Sequence, residues 1–122
     1  MSVKRFCRSL LDAFNGVRYA FEHEQNFRLQ LVVALIVLSL ATILPLKVSE
    51  QLLIVVMVFM VLVMELLNTA IEKFVDLLKP RLHYYAKTIK DIMAAAVFIT
   101  ALAALVVGII IFTPYLLKMV VR

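Results

Sequence analysis

The sequence predicts an all-α membrane protein in which an N-terminal amphipathic surface helix precedes three transmembrane helices. Of its 122 residues, 65% are apolar and 17% are charged, a composition unlike that of soluble globular proteins. The apolar residues are concentrated in three stretches, about 28–47, 50–72 and 91–117, and about 20 such residues suffice to cross a hydrocarbon core. The whole chain, residues 1–122, is therefore expected to form a single membrane-integral domain.

The surface helix is predicted over residues 3–26. Apolar residues recur there at helical spacing, with charged residues on the opposite face, as in helices that lie in a membrane interface. The apolar stripe contains Phe6, Leu10, Phe14, Val17 and Phe21. No cleaved signal peptide is expected, because this first segment is polar and amphipathic and lacks a leading apolar run.

Basic residues are distributed unevenly between the two predicted sides of the membrane. Of the 13 lysines and arginines, five precede the first span and five lie between the second and third spans, while three lie on the opposite side. The positive-inside rule then places the amino terminus and the second loop in the cytoplasm and the carboxyl terminus outside. Topology thus accounts for the net charge of +5, and no nucleic-acid partner is expected.

The second span carries the unusual feature of the sequence, an acidic stripe within "VLVMELLNTAIEKFVD". Glu65, Asn68, Glu72 and Asp76 fall within an arc of roughly 80° on a helix that turns 100° per residue. With the outer boundary near Leu52, Glu65 would lie about 20 Å deep and Glu72 about 30 Å deep, at the cytoplasmic boundary. Glu65 must therefore face a partner, a metal or a cavity, or else hold its proton.

Two interpretations of this stripe compete. Glu65 and Asn68 would serve as hydrogen-bonding glue between helices, as polar residues in packed membrane helices often do. A hydrogen bond between helices, however, needs one hydroxyl or amide and not several acids. Acids stacked at a cytoplasmic interface are better suited to Mg²⁺, which prefers carboxylate oxygens and commonly bridges them to nucleotide phosphates.

Other charged residues are ambiguous when taken alone. Lys90 and Asp91, at the start of the third span, also fit an aspartate in a first helical turn beside a snorkelling lysine. Glu24 is explicable as interface charge, and His83 as a surface residue. The sequence contains no phosphate-binding glycine loop and no paired-cysteine metal motif, and the single Cys7 cannot form an intramolecular disulfide.

Three segments, "EHEQNFRLQ", "ELLNTAIEKFVDL" and "AKTIKDIMAAAV", resemble the small bacterial membrane lipid kinases, the diacylglycerol kinase and undecaprenol kinase family. The resemblance covers essentially the whole chain. It implies transfer of the γ-phosphate of MgATP to the primary hydroxyl of a lipid in the bacterial cytoplasmic (inner) membrane. It also implies a surface helix with three transmembrane helices, assembled as a homotrimer whose active sites are shared between neighbours.

The same resemblance implies roles for individual residues. Glu65 would be the general base that contacts the lipid hydroxyl, Asn68 would position base or substrate, and Glu24 and Glu72 would hold the magnesium. The further positions implied to contact the nucleotide are Arg5, Asp12, Asp76, His83, Lys90 and Asp91. Within this set, Lys90 would lie on the phosphates, Arg5 would also contact the lipid, and His83 would border the adenine. Asp12 departs from the family pattern, in which a tyrosine can contact nucleotide.

The lipid acceptor is expected to be undecaprenol, with diacylglycerol as the alternative. "FNGVRYAFEHEQNFR" and "VGIIIFTP" resemble the undecaprenol kinase branch, and Gln30 is followed by the apolar run "LVVALIVL", which offers little to ester groups. A small ion- or proton-conducting subunit is the alternative from another class, but residues 52–64 supply no polar group for a relay. A structural adaptor would leave the acidic stripe unexplained.

Overall fold

The structure is a computed structural model that describes residues 2–78, 81 and 83–122. Within those ranges the chain forms four helices: α1 (Val3–His23), α2 (Gln25–Ile43), α3 (Val48–Leu78) and α4 (His83–Val120). The described ranges contain no strand. The prediction of an all-α chain is therefore confirmed.

Helices α2, α3 and α4 are long and apolar enough to cross a membrane. The 31 residues of α3 correspond to roughly 46 Å of helix, which exceeds a hydrocarbon core of about 30 Å by several turns. Apolar side chains on these helices are largely exposed, as shown by Leu35 at 66% and Ile110 at 67%. Such a surface suits lipid and other membrane helices, and the chain is a membrane protein.

One end of the helix bundle is closed by an apolar core beside the turn between α2 and α3. This core consists of Ala41, Leu44, Ile54, Ile111 and Phe112. Glu50 adds polar ties at the same end, since its Oε1 accepts a hydrogen bond from the Tyr115 hydroxyl at 2.5 Å and another from the Lys47 backbone N–H at 3.0 Å. These contacts hold the start of α3 against the end of α4.

At the opposite end, α1 joins α2 through an elbow at Glu24. This residue adopts an extended conformation (φ −115°, ψ 109°), so α1 ends at His23 and does not continue to residue 26 as predicted. The Arg28 guanidinium donates to the carbonyl oxygens of Phe21 at 2.8 Å and Glu22 at 3.1 Å. These carbonyls lie in the last turn of α1, where backbone acceptors lack helical partners. Arg28 thus stabilises the elbow from the following helix.

Candidate active site

Glu65 is buried within the single chain. Its side chain is 2% exposed, and its Oε2 accepts a hydrogen bond from Gln30 Nε2 on α2 at 3.1 Å. Thr69, also buried, donates its hydroxyl to the Glu65 backbone carbonyl at 3.0 Å. The carboxylate therefore faces α2 and not lipid, and Gln30 is the partner that a buried glutamate requires.

Two amide oxygens near Glu65 are buried without a hydrogen-bond donor in the described part of the chain. They are Gln30 Oε1 and Asn68 Oδ1. Leaving a buried acceptor unsatisfied costs about 1–3 kcal/mol. Gln30 Oε1 belongs to the amide that contacts the Glu65 carboxylate, and Asn68 lies one turn further along α3. An ionised carboxylate also only accepts, so this part of the fold is suited to an incoming O–H donor.

Sequence reasoning did not identify Gln30 or Thr69 as parts of this site. Gln30 lies two residues after Arg28, at the start of the first apolar stretch. A polar residue at that position is also expected simply because it lies near the membrane surface. Thr69 is turned about 40° from Glu65 on the helix, beside the predicted stripe. The position of Thr69 next to the stripe is the one sequence signal for its role. The contact of Gln30 with Glu65 depends on how α2 packs on α3, which the sequence pattern does not specify.

Glu24 and Glu72 lie in the same region of the fold as Glu65. Glu72 lies two turns from Glu65 on α3, about 10 Å along the axis, and accepts a 3.5 Å hydrogen bond from Asn68 Nδ2. Glu24 approaches from the elbow between α1 and α2. Both carboxylates are close enough for their negative charges to act on Glu65, so the three acids predicted as base and metal ligands lie in one region of the fold.

Glu24 and Glu72 supply part of the ligand set that a divalent metal needs. Among residues 2–78, 81 and 83–122 there is no group of three or more His, Cys, Asp or Glu side chains arranged to hold a metal. Mg²⁺ is commonly held by one or two carboxylates, with substrate phosphates and water as its other ligands. Glu24 and Glu72 fit a metal that arrives with a nucleotide, and they do not form an all-protein cage.

A pair of residues joins α1 to α3 beside these carboxylates. The Lys73 ammonium lies 5.8 Å from the centroid of the Tyr19 ring, a cation–π distance. The His23 ring stacks on the same Tyr19 ring, with centroids 4.1 Å apart. Because Lys73 follows Glu72 and His23 precedes Glu24, these contacts support the approach of the elbow to α3.

Lys90 connects the end of the acidic stripe to α4. Its Nζ lies 2.7 Å from Asp76 Oδ1, with both side chains partly exposed. Asp91 instead contacts Lys87, one turn earlier on the same helix, at 3.3 Å. This ion pair ties the end of the stripe to α4 and places the Lys90 ammonium beside Asp76.

Comparison with protein families gives a match over residues 12–112 to the family described as prokaryotic diacylglycerol kinase. The chain belongs to this family. Its relatives include the diacylglycerol kinase of Synechocystis, 37% identical over 110 residues, an alignment that covers 89% of the chain but 63% of the relative. The undecaprenol kinase of Bacillus subtilis is 34% identical over 93% of both chains. The diacylglycerol kinase of Escherichia coli K12 is 31% identical over 77% of both.

Membership of the prokaryotic diacylglycerol kinase family confirms the prediction of a lipid kinase, which is a phosphotransferase. A kinase uses ATP and typically a divalent metal. The relatives carry both lipid names at similar identity, so their names leave the acceptor lipid of this chain open.

Two further predicted site residues of this family member, Arg5 and Asp12, lie apart from the carboxylates. Arg5 and Asp12 are exposed on α1, about 27 Å and 17 Å along the helix from its last residue, His23. Within one chain they therefore do not reach Glu24. The side chain of His83 lies outside the described residues, and its proposed contact with adenine stays a prediction.

Proposed function

We propose that the chain transfers the γ-phosphate of ATP to the primary hydroxyl of a membrane lipid, with Glu65 as the general base. One observation carries this proposal: Glu65 is buried among acceptors. An alcohol supplies the missing O–H donor, and family membership supplies the class of reaction.

The reaction requires one proton transfer and one exchange of bonds at phosphorus. The Glu65 carboxylate takes the proton of the lipid hydroxyl as the hydroxyl oxygen forms a bond to the γ-phosphorus. The bond between that phosphorus and the bridging oxygen of ADP breaks, and ADP leaves. The main task of the protein is to position these groups, which the contact between Gln30 and Glu65 and the elbow at Glu24 support.

Glu24 and Glu72 are the residues that would hold Mg²⁺. When bound, Mg²⁺ neutralises negative charge on the phosphates. The axial separation of about 10 Å between Glu65 and Glu72 leaves room for a phosphoryl group between base and metal ligands. Lys90 would contact the phosphates, while Asp76 and Asp91 border the nucleotide from α3 and α4.

The active form is proposed to be a homotrimer with sites shared between neighbours. Arg5 and Asp12 support this assembly, because α1 carries them many ångströms away from Glu24 of the same chain. A neighbouring copy would bring an equivalent pair to each site, where Arg5 would contact nucleotide and lipid. The exposed apolar surfaces of α2, α3 and α4 are chemically suited to such packing.

The proposed location is the bacterial cytoplasmic membrane, with the elbow and the end of α3 facing the cytoplasm. All the nucleotide-binding candidates on α3 and α4 lie at that end of the fold, where ATP is available. The basic residues around the same end agree with this orientation.

Cysteine labelling tests the orientation. In a Cys7→Ser background, a membrane-impermeant thiol reagent applied to intact cells is expected to label Lys118→Cys. Arg81→Cys is expected to react only after the membrane is opened. Both positions are exposed in the structure, so accessibility on each side is the variable measured. Labelling of Arg81→Cys from outside would overturn the orientation.

Undecaprenol is proposed as the preferred acceptor. Gln30 directs its amide N–H to Glu65, and its unpartnered Oε1 is an acceptor. Ester carbonyls of diacylglycerol also only accept, so this oxygen offers them nothing, whereas a polyprenol brings no ester group to satisfy.

Transfer of labelled phosphate from ATP to each lipid tests both the reaction and the preference. Purified protein is supplied with magnesium and with either lipid at equal mole fraction in the same micelles. Phosphorylation of a lipid is expected, with the higher rate on undecaprenol. A tenfold higher rate on diacylglycerol would reverse the assignment of the lipid, and no transfer to either lipid would overturn the proposed reaction.

A further inference from the structure

We infer that Gln30 is a positioning residue for Glu65, holding the carboxylate so that one oxygen faces the lipid hydroxyl. This inference rests on the proposed role of Glu65 as base. Gln30 Nε2 donates to Oε2 of Glu65 across the interface between α2 and α3, 35 residues apart in sequence. Because Oε2 is held by this hydrogen bond, the other carboxylate oxygen, Oε1, is held in one orientation and can face the lipid hydroxyl.

The orientation of the Gln30 amide follows from the chemistry of its partner. An ionised carboxylate has no hydrogen to donate, so the amide must present its nitrogen and not its oxygen to Glu65. Gln30 Oε1 is left buried without a donor among the described residues. The Nε2 donor of Gln30 matches the ionised carboxylate of the base, and neither leucine nor methionine supplies such a donor.

The turn of α2 that precedes Gln30 is anchored at the elbow. Phe27, three residues earlier and so on the same side of α2, is 2% exposed. Arg28 ties the first turn of α2 to the last carbonyls of α1. The elbow therefore carries the metal-ligand candidate Glu24 and also anchors the turn of α2 from which Gln30 reaches Glu65.

The test compares Gln30→Leu with the matched control Gln51→Leu. Gln51 likewise uses its amide nitrogen in a 3.1 Å hydrogen bond between segments, to the Ala41 carbonyl, at the far end of the bundle. Gln30→Leu is expected to lower kcat at least tenfold with the KM for MgATP within about twofold of wild type, because small misplacements of a reacting group cost up to about 10²-fold. Gln51→Leu is expected to keep the wild-type kcat.

A parallel double-variant cycle separates positioning from general packing. If Gln30 acts through Glu65, adding Gln30→Leu to Glu65→Gln should lower kcat by less than twofold further. Gln30→Met, which preserves side-chain length without the amide, serves where Gln30→Leu does not assemble, and the same tenfold loss is expected. A kcat for Gln30→Leu or Gln30→Met within threefold of wild type would overturn the inference. An equal loss of kcat in Gln51→Leu would also overturn it. So would a double variant whose kcat falls below that of Glu65→Gln by the full factor seen for Gln30→Leu alone. A Glu65→Gln enzyme that turns over normally would instead overturn the proposed base.

Discussion

Glu65→Gln is expected to lower kcat for phosphoryl transfer at least about 100-fold, since removing a positioned general base commonly costs 10²–10⁴-fold. The substitution preserves side-chain size, and the amide oxygen of glutamine can still accept the hydrogen bond from Gln30 Nε2. Folding and assembly should therefore persist. MgATP binding should persist as well, because the proposed metal ligands Glu24 and Glu72 are unchanged.

Single-turnover transfer and nucleotide binding measured on the same preparation check this expectation. Glu50→Gln is the matched control, because Glu50 is another hydrogen-bonded glutamate of α3 but lies at the far end, bound to Tyr115 and the Lys47 backbone. It should retain kcat. Turnover near the wild-type rate in Glu65→Gln would remove the base from the proposed mechanism. Loss of MgATP binding in that variant would show that Glu65 supports nucleotide binding and not only proton transfer.

The helices and the acidic stripe were predictable because they depend on local sequence. Long apolar runs predict α2, α3 and α4, and a rotation of 100° per residue places Glu65 and Glu72 on one face regardless of what surrounds them. The homotrimer and the roles assigned to individual side chains stay predictions, since they concern other copies and ligands.

The partner of Glu65 was not predictable in the same way. Gln30 reaches it only because α2 packs against α3 at one particular rotation and height, and neither quantity can be read from periodicity. A single polar residue at the start of an apolar stretch is equally typical of a membrane interface. The contact between Asp76 and Lys90 has the same origin, since it depends on how α4 packs against α3.

The elbow at Glu24 shows a different limit of prediction from sequence, which concerns where a helix ends. The surface helix was predicted to end at residue 26, yet Glu24 is extended and α1 ends at His23, three residues earlier. The stabilising contact comes from Arg28, which donates to carbonyls six and seven residues back. A propensity argument weighs each residue within its own helix and misses a cap that is supplied by the next one.

Glu24→Gln and Glu72→Gln are each expected to raise the magnesium concentration needed for half-maximal rate at least about tenfold, the scale on which disturbed metal sites lose affinity. A neutral amide oxygen replaces a charged ligand in each case, while the hydrogen bond between Gln30 and Glu65 is left in place. The expected change is in the magnesium requirement, with much of the rate recovered at saturating metal. Magnesium titrations of steady-state transfer make this measurement.

Glu22→Gln provides the control for charge near the elbow. Glu22 lies two residues before Glu24, is exposed, and pairs with Arg18 at 2.9 Å on the surface of α1. Removing its charge should leave the magnesium titration unchanged. If both Glu24→Gln and Glu72→Gln overlay the wild type, neither residue holds the metal. If Glu72→Gln alone shifts the curve, the metal is held from α3 and the elbow serves to position Gln30, so that Glu24→Gln would affect kcat and not the magnesium requirement.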